Sequence, residues 1–370
     1  MSIKDIIGQH IFIGLSGHAL TNDEKKFIIK NNIGGICLFG RNVDSPEQVR
    51  ELCAEIQDLR HQQADKAPLF IGIDMEGGRV HRLKAPFTKW PALKYLGDLD
   101  APTVSYNFAN AMGKELRAVG INLDFAPCVD IFTNPSNTVI GDRSLSSDPE
   151  LVAKHASALV RGYIKADIIT CAKHFPGHGN TLVDSHEDLP IENLDLQTLD
   201  NRELIPFKRA FKSRVDMVMT SHIKFPKIDP DWPVTLSEKF VTDILRNELR
   251  YRGLIISDDL GMKAMTAHYG LEEVPVRALK AGVDLLLYCN DPDVPPQALE
   301  AILSATAQGS LSSDTLSASR QRILEFKSQK IKNPDPLALD EVKAIVGSEE
   351  HLALADAISK GITPEGLIEA

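Results

Sequence analysis

The feature that most constrains the fold is a regular alternation of short apolar, β-branched segments with longer amphipathic segments. Strands that are separated by helices pair in parallel through crossover connections. Eight such units over about 300 residues are typical of a closed barrel. We therefore predict an α/β fold, a single-domain (β/α)8 TIM-type barrel, with an open α/β sheet as the alternative. The predicted strands are residues 10–16, 34–39, 68–74, 121–126, 168–174, 216–221, 254–258 and 283–289.

The amphipathic segments carry helix-start signals. Ser45 precedes Pro46, which is the order expected for an N-cap and a first helical turn. The predicted helices are residues 45–60, 148–165, 199–212, 237–250, 272–281, 295–308 and 313–330. We assign residues 1–333 to the catalytic barrel. Residues 334–370 form a tail with helical patterns that is too small for its own core, and we expect it to pack on the barrel or extend from it.

Composition narrows the range of partners. The 370 residues include 41 basic and 51 acidic side chains, a net charge of −10, which argues against binding to nucleic acid or to an anionic membrane. The sequence contains no apolar run of membrane-spanning length, and its N-terminal segment lacks the pattern of a signal peptide. Its five scattered cysteines indicate buried thiols in a reducing compartment. We expect a cytoplasmic monomer that acts on a small molecule.

Polar residues follow the third predicted strand, where a parallel barrel places its reactive groups. Asp74 ends the apolar run and is followed by Glu76, a glycine pair, Arg79 and Arg82. A buried carboxylate is costly unless it is paired or used. This segment is therefore either part of a functional site or a salt bridge that braces a loop.

The fourth predicted strand contains Asp124, which we interpret as structural because it lies within the apolar run. The polar loop that follows contains Arg143. A guanidinium group there can donate several hydrogen bonds to hydroxyl groups or to a carboxylate.

The fifth predicted strand ends at Lys173 and His174, and the loop after it contains Asp184 and His186. Residues two apart in an extended segment share a face, so the carboxylate can orient the imidazole for proton transfer. The alternative is a zinc site built from His174, His178, His186 and Asp184. Their spacing matches none of the common zinc motifs, and we expect neither a metal nor another cofactor.

The seventh predicted strand ends at Asp258 and Asp259. Adjacent side chains in a strand point to opposite sides, so we expect only Asp258 to face the barrel mouth. An ionised carboxylate, a proton donor and a ring of charged donors suit the cleavage of a glycosidic bond.

Several motifs together resemble those of the bacterial β-N-acetylglucosaminidases of glycoside hydrolase family 3. The segment 173–179, Lys-His-Phe-Pro-Gly-His-Gly, precedes Asp184-Ser185-His186, and Ser257-Asp258-Asp259-Leu260-Gly261-Met262 resembles the nucleophile block. The other matching segments are residues 19–21, 34–42 and 74–80, in which Met75 replaces the usual Gln or His. The resemblance covers roughly residues 5–330, with the motifs in the order of the family.

The resemblance implies a retaining, double-displacement glycosidase. Asp258 would be the nucleophile, and His186, oriented by Asp184, would be the general acid/base in place of the usual second carboxylate. The terminal N-acetylglucosamine (GlcNAc) would be held by Asp74, Arg82, Arg143, Lys173 and His174. The implied substrate is GlcNAc β-1,4-linked to 1,6-anhydro-N-acetylmuramic acid, with or without its peptide, in cytoplasmic cell-wall recycling.

Three alternatives stay open at the level of sequence. Some relatives transfer the sugar to phosphate rather than to water, and the same Asp and His pair serves both reactions. A metal-dependent barrel hydrolase would need a bound ion. A catalytically inactive sugar-binding protein would have no use for the nucleophile.

Overall fold

A computed structural model describes residues 2–185 and 187–364 and shows a closed barrel of eight parallel strands. In chain order the barrel strands are β1 (Ile11–Gly14), β2 (Gly35–Leu38), β3 (Phe70–Ile73), β4 (Leu123–Asp124), β5 (Ile169–Phe175), β6 (Met217–Thr220), β7 (Leu254–Asp259) and β8 (Leu285–Tyr288). Each strand pairs with its neighbours along the chain, and β8 pairs with β1 to close the barrel. The predicted (β/α)8 barrel is therefore confirmed, and the open-sheet alternative is wrong.

Strand β4 is shorter than the predicted run of residues 121–126. After Asp124, the Phe125 amide still donates to the carbonyl oxygen of Ile73 (2.9 Å), and the Ala126 carbonyl accepts from Cys171 (2.8 Å). Pro127 follows and has no N–H group to donate, so the regular pairing is interrupted there, and an isolated bridge between Cys128 and Lys173 follows it.

Two strands carry a β-bulge at the carboxyl end of the barrel. Between paired positions, β5 has two residues, Lys173 and His174, where β6 has one. In the same way β7 has two residues, Ser257 and Asp258, where β8 has one. A bulge breaks the strict alternation of side chains, which lets consecutive residues project toward the same side.

The helices surround the barrel. Ser45 and Asp148 cap their helices as the sequence predicts: their side chains accept hydrogen bonds from the amides of Gln48 and Glu150. The α-helices are Ile3–Gly8, Asn22–Lys30, Pro46–Asp58, Leu93–Leu99, Pro102–Ala118, Pro149–Lys165, Leu196–Thr198, Leu204–Lys212, Lys263–Thr266, Glu273–Ala281, Val294–Ala307, Ser313–Lys330, Leu339–Ile345 and Glu349–Ser359. Leu199–Glu203 and Lys239–Glu248 are π-helical, and Gly40–Asn42, Leu59–Gln62, Gly141–Arg143 and Val234–Leu236 are 3₁₀ turns.

A short antiparallel hairpin follows β3 and extends the rim of the barrel. Met75–Gly77 pairs with Val80–His81, and Gly77 and Gly78 turn the chain with φ angles of 87° and 57°. These positive φ values favour glycine at both positions. Asp74 lies between the end of β3 and this hairpin.

The C-terminal helices Leu339–Ile345 and Glu349–Ser359 lie against the outside of the helical layer. Val342 and Ile358 are fully buried there. The carboxylate of Glu115 accepts hydrogen bonds from the Gly347 amide (3.1 Å) and from His351 Nδ1 (2.8 Å). The division of the chain into a barrel and a tail at residue 333 stays a prediction.

All five cysteines are buried free thiols, as their apolar surroundings predict. In the part of the chain that the structure describes, no helix is both long enough and apolar enough to cross a bilayer.

The amino-terminal end of the barrel is closed by a buried lysine. Lys327 donates to Gln9 Oε1 and to the Gly34 carbonyl oxygen, both at 2.8 Å, and its ammonium lies 4.8 Å from the centre of the Phe70 ring. Burial lowers the pKa of Lys327 to about 7. The charged form is thus disfavoured relative to a lysine in water.

This burial predicts a pH dependence of stability. Between about pH 7 and pH 10 the unfolded chain holds a proton on Lys327 that the folded chain releases, so this residue's contribution to stability rises with pH. We expect the free energy of unfolding of the wild type, minus that of Lys327→Met, to increase by about 2 kcal/mol from pH 7 to pH 9. Urea unfolding of both proteins at the two pH values measures this difference. A difference that does not change with pH would contradict the prediction.

Candidate active site

A cavity of about 360 Å³ opens at the carboxyl ends of the barrel strands, where the loops after β2, β3, β4, β5, β7 and β8 meet. The structure brings six of the predicted site residues together around it: Asp74, Arg82, Arg143, Lys173, His174 and Asp258. Asp184 lies in the loop after β5 and is half-buried. His186 lies outside the described residues.

A buried cluster of ion pairs forms one wall of the cavity. Lys173 Nζ lies 2.6 Å from Asp74 Oδ1 and 2.7 Å from Glu76 Oε1. Arg143 donates to both carboxylate oxygens of Glu76, from Nε and Nη2, at 2.8 Å each. Burial alone would raise the pKa of Glu76, but the charges of Arg143 and Lys173 outweigh it and hold the pKa well below its usual range. Glu76 is therefore ionised and serves as the link between the two cations.

Asp74 differs from Glu76 in how much of it a ligand can reach. The side chain of Asp74 is 21% exposed, whereas that of Glu76 is 1% exposed. Asp74 Oδ2 makes no hydrogen bond to the residues that the structure describes and lies 3.8 Å from Arg82 Nη2. This oxygen can accept hydrogen bonds from a bound molecule while Oδ1 stays paired with Lys173.

His174 is held by an aspartate that the sequence analysis did not select. Its Nδ1 lies 2.7 Å from Asp130 Oδ2, and its Nε2 lies 3.4 Å from Arg143 Nη2. Asp130 also accepts from the His178 amide at 2.7 Å. Burial would raise the pKa of Asp130, but His174 and His178 lower it to about 2. The ionised Asp130 thus fixes the ring of His174, and the available signal was a carboxylate between the apolar residues Val129 and Ile131.

The loop after β5 reaches the cavity. Ser185 lines it, and the carbonyl oxygen of Ser185 accepts from the Ala264 amide at 3.2 Å. The Ser185 hydroxyl lies 3.2 Å from His178 Nε2. Burial lowers the pKa of His178 to about 4, so this imidazole is neutral at physiological pH. The loop is therefore fastened both to its own base and to the helix Lys263–Thr266.

Asp258 lies at the bulge of β7 and is partly exposed to the cavity. Its Oδ1 accepts a hydrogen bond from the Asp259 amide at 2.8 Å. Burial would raise the pKa of Asp258, but nearby His174 and His222, together with this amide, hold the pKa below its usual value. The site thus presents an ionised carboxylate that makes no ion pair with Lys or Arg among the described residues.

The expectation that only one of the two aspartates faces the mouth was wrong, since Asp259 also borders the cavity. The bulge in β7 is the reason, because it interrupts the alternation of side chains. Asp259 is held in place: it accepts from the Gly261 amide at 2.9 Å and from Asn290 Nδ2 at 3.1 Å. Arg41 in turn donates to Asn290 Oδ1 at 3.1 Å. These contacts fix the peptide group that donates to Asp258.

Asp124 is fully buried beneath the cavity and supports the segment that carries Asp74 and Glu76. Its Oδ1 accepts from the Met75 amide at 2.9 Å. Burial raises the pKa of the Asp124 carboxyl group well above its usual range. Met75 Sδ accepts from the Arg82 amide at 3.2 Å, which places Met75 under the rim rather than in the cavity.

One cluster in the described part of the chain has the donor atoms of a metal site. Atoms of Cys128, Asp130 and His174 lie within 4.8 Å of one another. The Cys128 thiol donates to Asp130 Oδ2 at 3.3 Å, and burial raises the pKa of this thiol well above its usual value. The three groups are thus engaged with one another, and a thiol that stays protonated is a poor metal ligand.

The geometry suits a polyhydroxylated ligand. The ion pairs on one side of the cavity offer many hydrogen bonds in a fixed arrangement. The ionised carboxylate of Asp258 lies across the cavity from Asp74, because β7 and β3 are opposite strands of the barrel. A second titratable group on the loop after β5 would complete the pair that cleavage of a glycosidic bond requires.

Comparisons with known proteins agree with this chemistry. The family model described as glycosyl hydrolase family 3 N terminal domain matches residues 3–326. A β-hexosaminidase of Nitrosomonas eutropha is 36% identical over 298 residues, which span 79% of this chain and 84% of that protein.

Two solved structures are similar over nearly the whole chain. A glycoside hydrolase family 3 β-N-acetylglucosaminidase from Paenibacillus sp. FPU-7 has a TM-score of 0.89 at 37% identity and covers 98% of this chain and 69% of its own. NagZ from Neisseria gonorrhoeae, in complex with N-trifluoroacetyl-D-glucosamine, has a TM-score of 0.78 at 31% identity and covers 96% of this chain and 98% of its own. The resemblance seen in the motifs is thereby confirmed, and the chain belongs to glycosyl hydrolase family 3 and is a glycosidase.

Proposed function

We propose that this glycosidase is a retaining, exo-acting β-N-acetylglucosaminidase that removes terminal GlcNAc from muropeptides during cytoplasmic peptidoglycan recycling. The observation that carries the proposal is the ionised Asp258 carboxylate in a cavity whose opposite wall is the Asp74–Lys173–Glu76–Arg143 cluster. The N-acylated glucosamine bound to NagZ from Neisseria gonorrhoeae supports this choice of sugar. The disaccharide substrate is GlcNAc linked to 1,6-anhydro-N-acetylmuramic acid, with or without its peptide.

The charged wall holds the sugar. Asp74 accepts hydrogen bonds from hydroxyl groups through its exposed oxygen, and Arg82, Arg143, Lys173 and His174 supply donors around it. The side chains of Arg82, Arg143, Lys173 and His174 are already oriented by carboxylates, so little reorganisation is needed when the sugar binds. Within the described part of the chain, Arg143 keeps one N–H of Nη1 beyond its bonds to Glu76, to the Val139 carbonyl oxygen and to His174.

The first chemical step forms a covalent intermediate. The Asp258 carboxylate attacks the anomeric carbon while the bond from that carbon to the leaving oxygen breaks. His186, oriented by Asp184, gives its proton to that oxygen, and the muramyl product leaves. The products of this step are a glycosyl ester of Asp258 and a neutral imidazole at residue 186.

The second step releases the sugar. Water attacks the anomeric carbon from the side that the leaving group occupied, and the imidazole of His186 takes a proton from it. The bond to Asp258 breaks, so the carboxylate and the imidazolium are restored and the configuration at the anomeric carbon is retained.

The charge of the leaving group explains an imidazole in the acid/base role. The muramyl group carries a lactyl carboxylate close to the leaving oxygen. A second ionised carboxylate in the enzyme would repel it, whereas an imidazole would not.

Replacement of the nucleophile tests the mechanism. We expect Asp258→Ala to lower kcat on an aryl β-N-acetylglucosaminide by at least about 10³-fold, because no covalent intermediate can form. With a 2-fluoro sugar, mass spectrometry should find the adduct on Asp258 in the wild type and none in the variant. Asp314→Asn, a surface change on the helix Ser313–Lys330, serves as the matched control.

A wild-type adduct on another residue would refute the role of Asp258. Full activity of Asp258→Ala would refute the double-displacement mechanism. An inactive wild type that still binds GlcNAc would favour the sugar-binding alternative over the enzyme.

The exposed oxygen of Asp74 gives a second prediction. Asp74→Asn keeps the shape of the side chain but replaces one acceptor with a donor, so we expect kcat/KM to fall by about 10²-fold. Lys173 keeps its ion pair with Glu76 but loses the charge of Asp74, so we expect the free energy of unfolding to fall by about 1–3 kcal/mol. Steady-state kinetics and urea unfolding of the same preparation separate the two effects. Unchanged kcat/KM would remove Asp74 from the binding site.

Transfer to phosphate is the second candidate function, since the same residues could serve it. We expect the enzyme to release free GlcNAc at equal rates in phosphate and in phosphate-free buffer, because water is the proposed acceptor. Chromatography of the products distinguishes GlcNAc from GlcNAc 1-phosphate. Formation of the phosphate ester, with a rate that rises with phosphate concentration, would identify a phosphorylase instead.

A further inference from the structure

Four cationic side chains line the cavity, and one of them differs from the rest. Lys173 and Arg143 are buried in ion pairs with Asp74 and Glu76, and Arg82 lies 3.8 Å from Asp74. Lys263 is exposed and forms no ion pair with any of the residues that the structure describes. Among the cations that the structure describes in this cavity, Lys263 is therefore the one with no carboxylate partner, and it can pair with a charged group of a ligand.

The position of Lys263 connects it to the leaving-group side of the cavity. It begins the helix Lys263–Thr266, shortly after Asp258 at the end of β7. The next residue, Ala264, donates to the carbonyl oxygen of Ser185 in the loop after β5. In the proposed mechanism this loop supplies the proton to the leaving oxygen, so Lys263 stands beside the part of the substrate that departs.

The charged groups that line the cavity indicate what kind of ligand group Lys263 can bind. Among the described residues that line it are four carboxyl side chains, Asp74, Glu76, Asp258 and Asp259, and three side chains of Lys or Arg besides Lys263. A cavity with that excess of acidic groups would disfavour an anionic leaving group. An ammonium group at the rim offsets this repulsion where such a group would enter.

We propose that Lys263 is a specificity-determining residue that binds a carboxylate on the leaving group of the substrate. The inference rests on the proposed function, in which the leaving group carries a lactyl carboxylate. Lysine suits this task because its ammonium is a compact charge on a flexible stem and can follow a carboxylate whose position varies. The sugar itself is recognised by the wall opposite, so the effect of Lys263 falls on the aglycone.

The test uses two substrates that differ only in this charge: GlcNAc-anhydro-N-acetylmuramic acid and the methyl ester of its lactyl group. We expect Lys263→Met to lower kcat/KM on the acid five- to tenfold more than on the ester, as for one charge-assisted contact. Lys263→Arg, which keeps the charge, should restore most of the preference for the acid. In the wild type, added NaCl should reduce that preference because it screens the exposed ammonium.

Lys165→Met is the matched control. Lys165 is an exposed lysine at the end of the helix Pro149–Lys165, which leads into β5 at the opposite end of the barrel. This variant changes the net charge equally and should leave the ratio of the two substrates unchanged.

The outcomes separate the two proposals. Equal losses on the acid and on the ester with Lys263→Met, or no loss on either, would overturn the role of Lys263 and leave the proposed function intact. A wild type that cleaves an aryl β-N-acetylglucosaminide but neither muramyl substrate would overturn the proposed substrate, and the inference about Lys263 with it.

Discussion

The buried ion pairs of Glu76 are the interaction on which the site depends. Glu76 lies on the hairpin after β3, Arg143 on the loop after β4 and Lys173 at the end of β5, so one carboxylate ties three consecutive parts of the barrel rim together. A buried charge without a partner is strongly destabilising, and Glu76 is the carboxylate that both buried cations share. Asp74 supplies the second negative charge that balances these two cations, and it is the partly exposed member of the cluster that can contact a sugar. These ion pairs also keep the cations fixed before any ligand arrives.

The bulges of β5 and β7 explain how a regular barrel presents so many charged groups at one end. In strict alternation, Lys173 and His174 would point to opposite sides of the sheet, and so would Asp258 and Asp259. An extra residue in each strand lets both members of each pair border the cavity. Few regular backbone hydrogen bonds between strands are lost, because the bulges lie where the strands end. The two strands that carry the proposed nucleophile and the charged wall are thus altered only at their last residues.

The eight strands and the caps at Ser45 and Asp148 follow from local patterns, since apolar periodicity and capping are properties of neighbouring residues. Five site residues could also be predicted from the sequence, because each lies at or after the end of a predicted strand: Asp74, Arg143, Lys173, His174 and Asp258. Asp130 and the linking role of Glu76 could not be predicted in this way. Their partners lie 44 and 67 or more residues away along the chain, and only the closed barrel brings them within hydrogen-bonding distance.

The sequence by itself determined the barrel and the set of charged groups at its mouth, because the periodicity of apolar residues and the ends of the strands can be recognised from consecutive residues. The motifs determined the family, because they recur in a fixed order along the chain. Only the tertiary structure decided which carboxylates are held by ion pairs or hydrogen bonds within the protein and which can contact a ligand. Glu76, Asp130 and Asp259 are held by Arg143, His178 and Asn290, which lie on other loops, while Asp258 and one oxygen of Asp74 stay accessible to a ligand. That division depends on distances between strands, and no pattern of neighbouring residues encodes a distance of that kind.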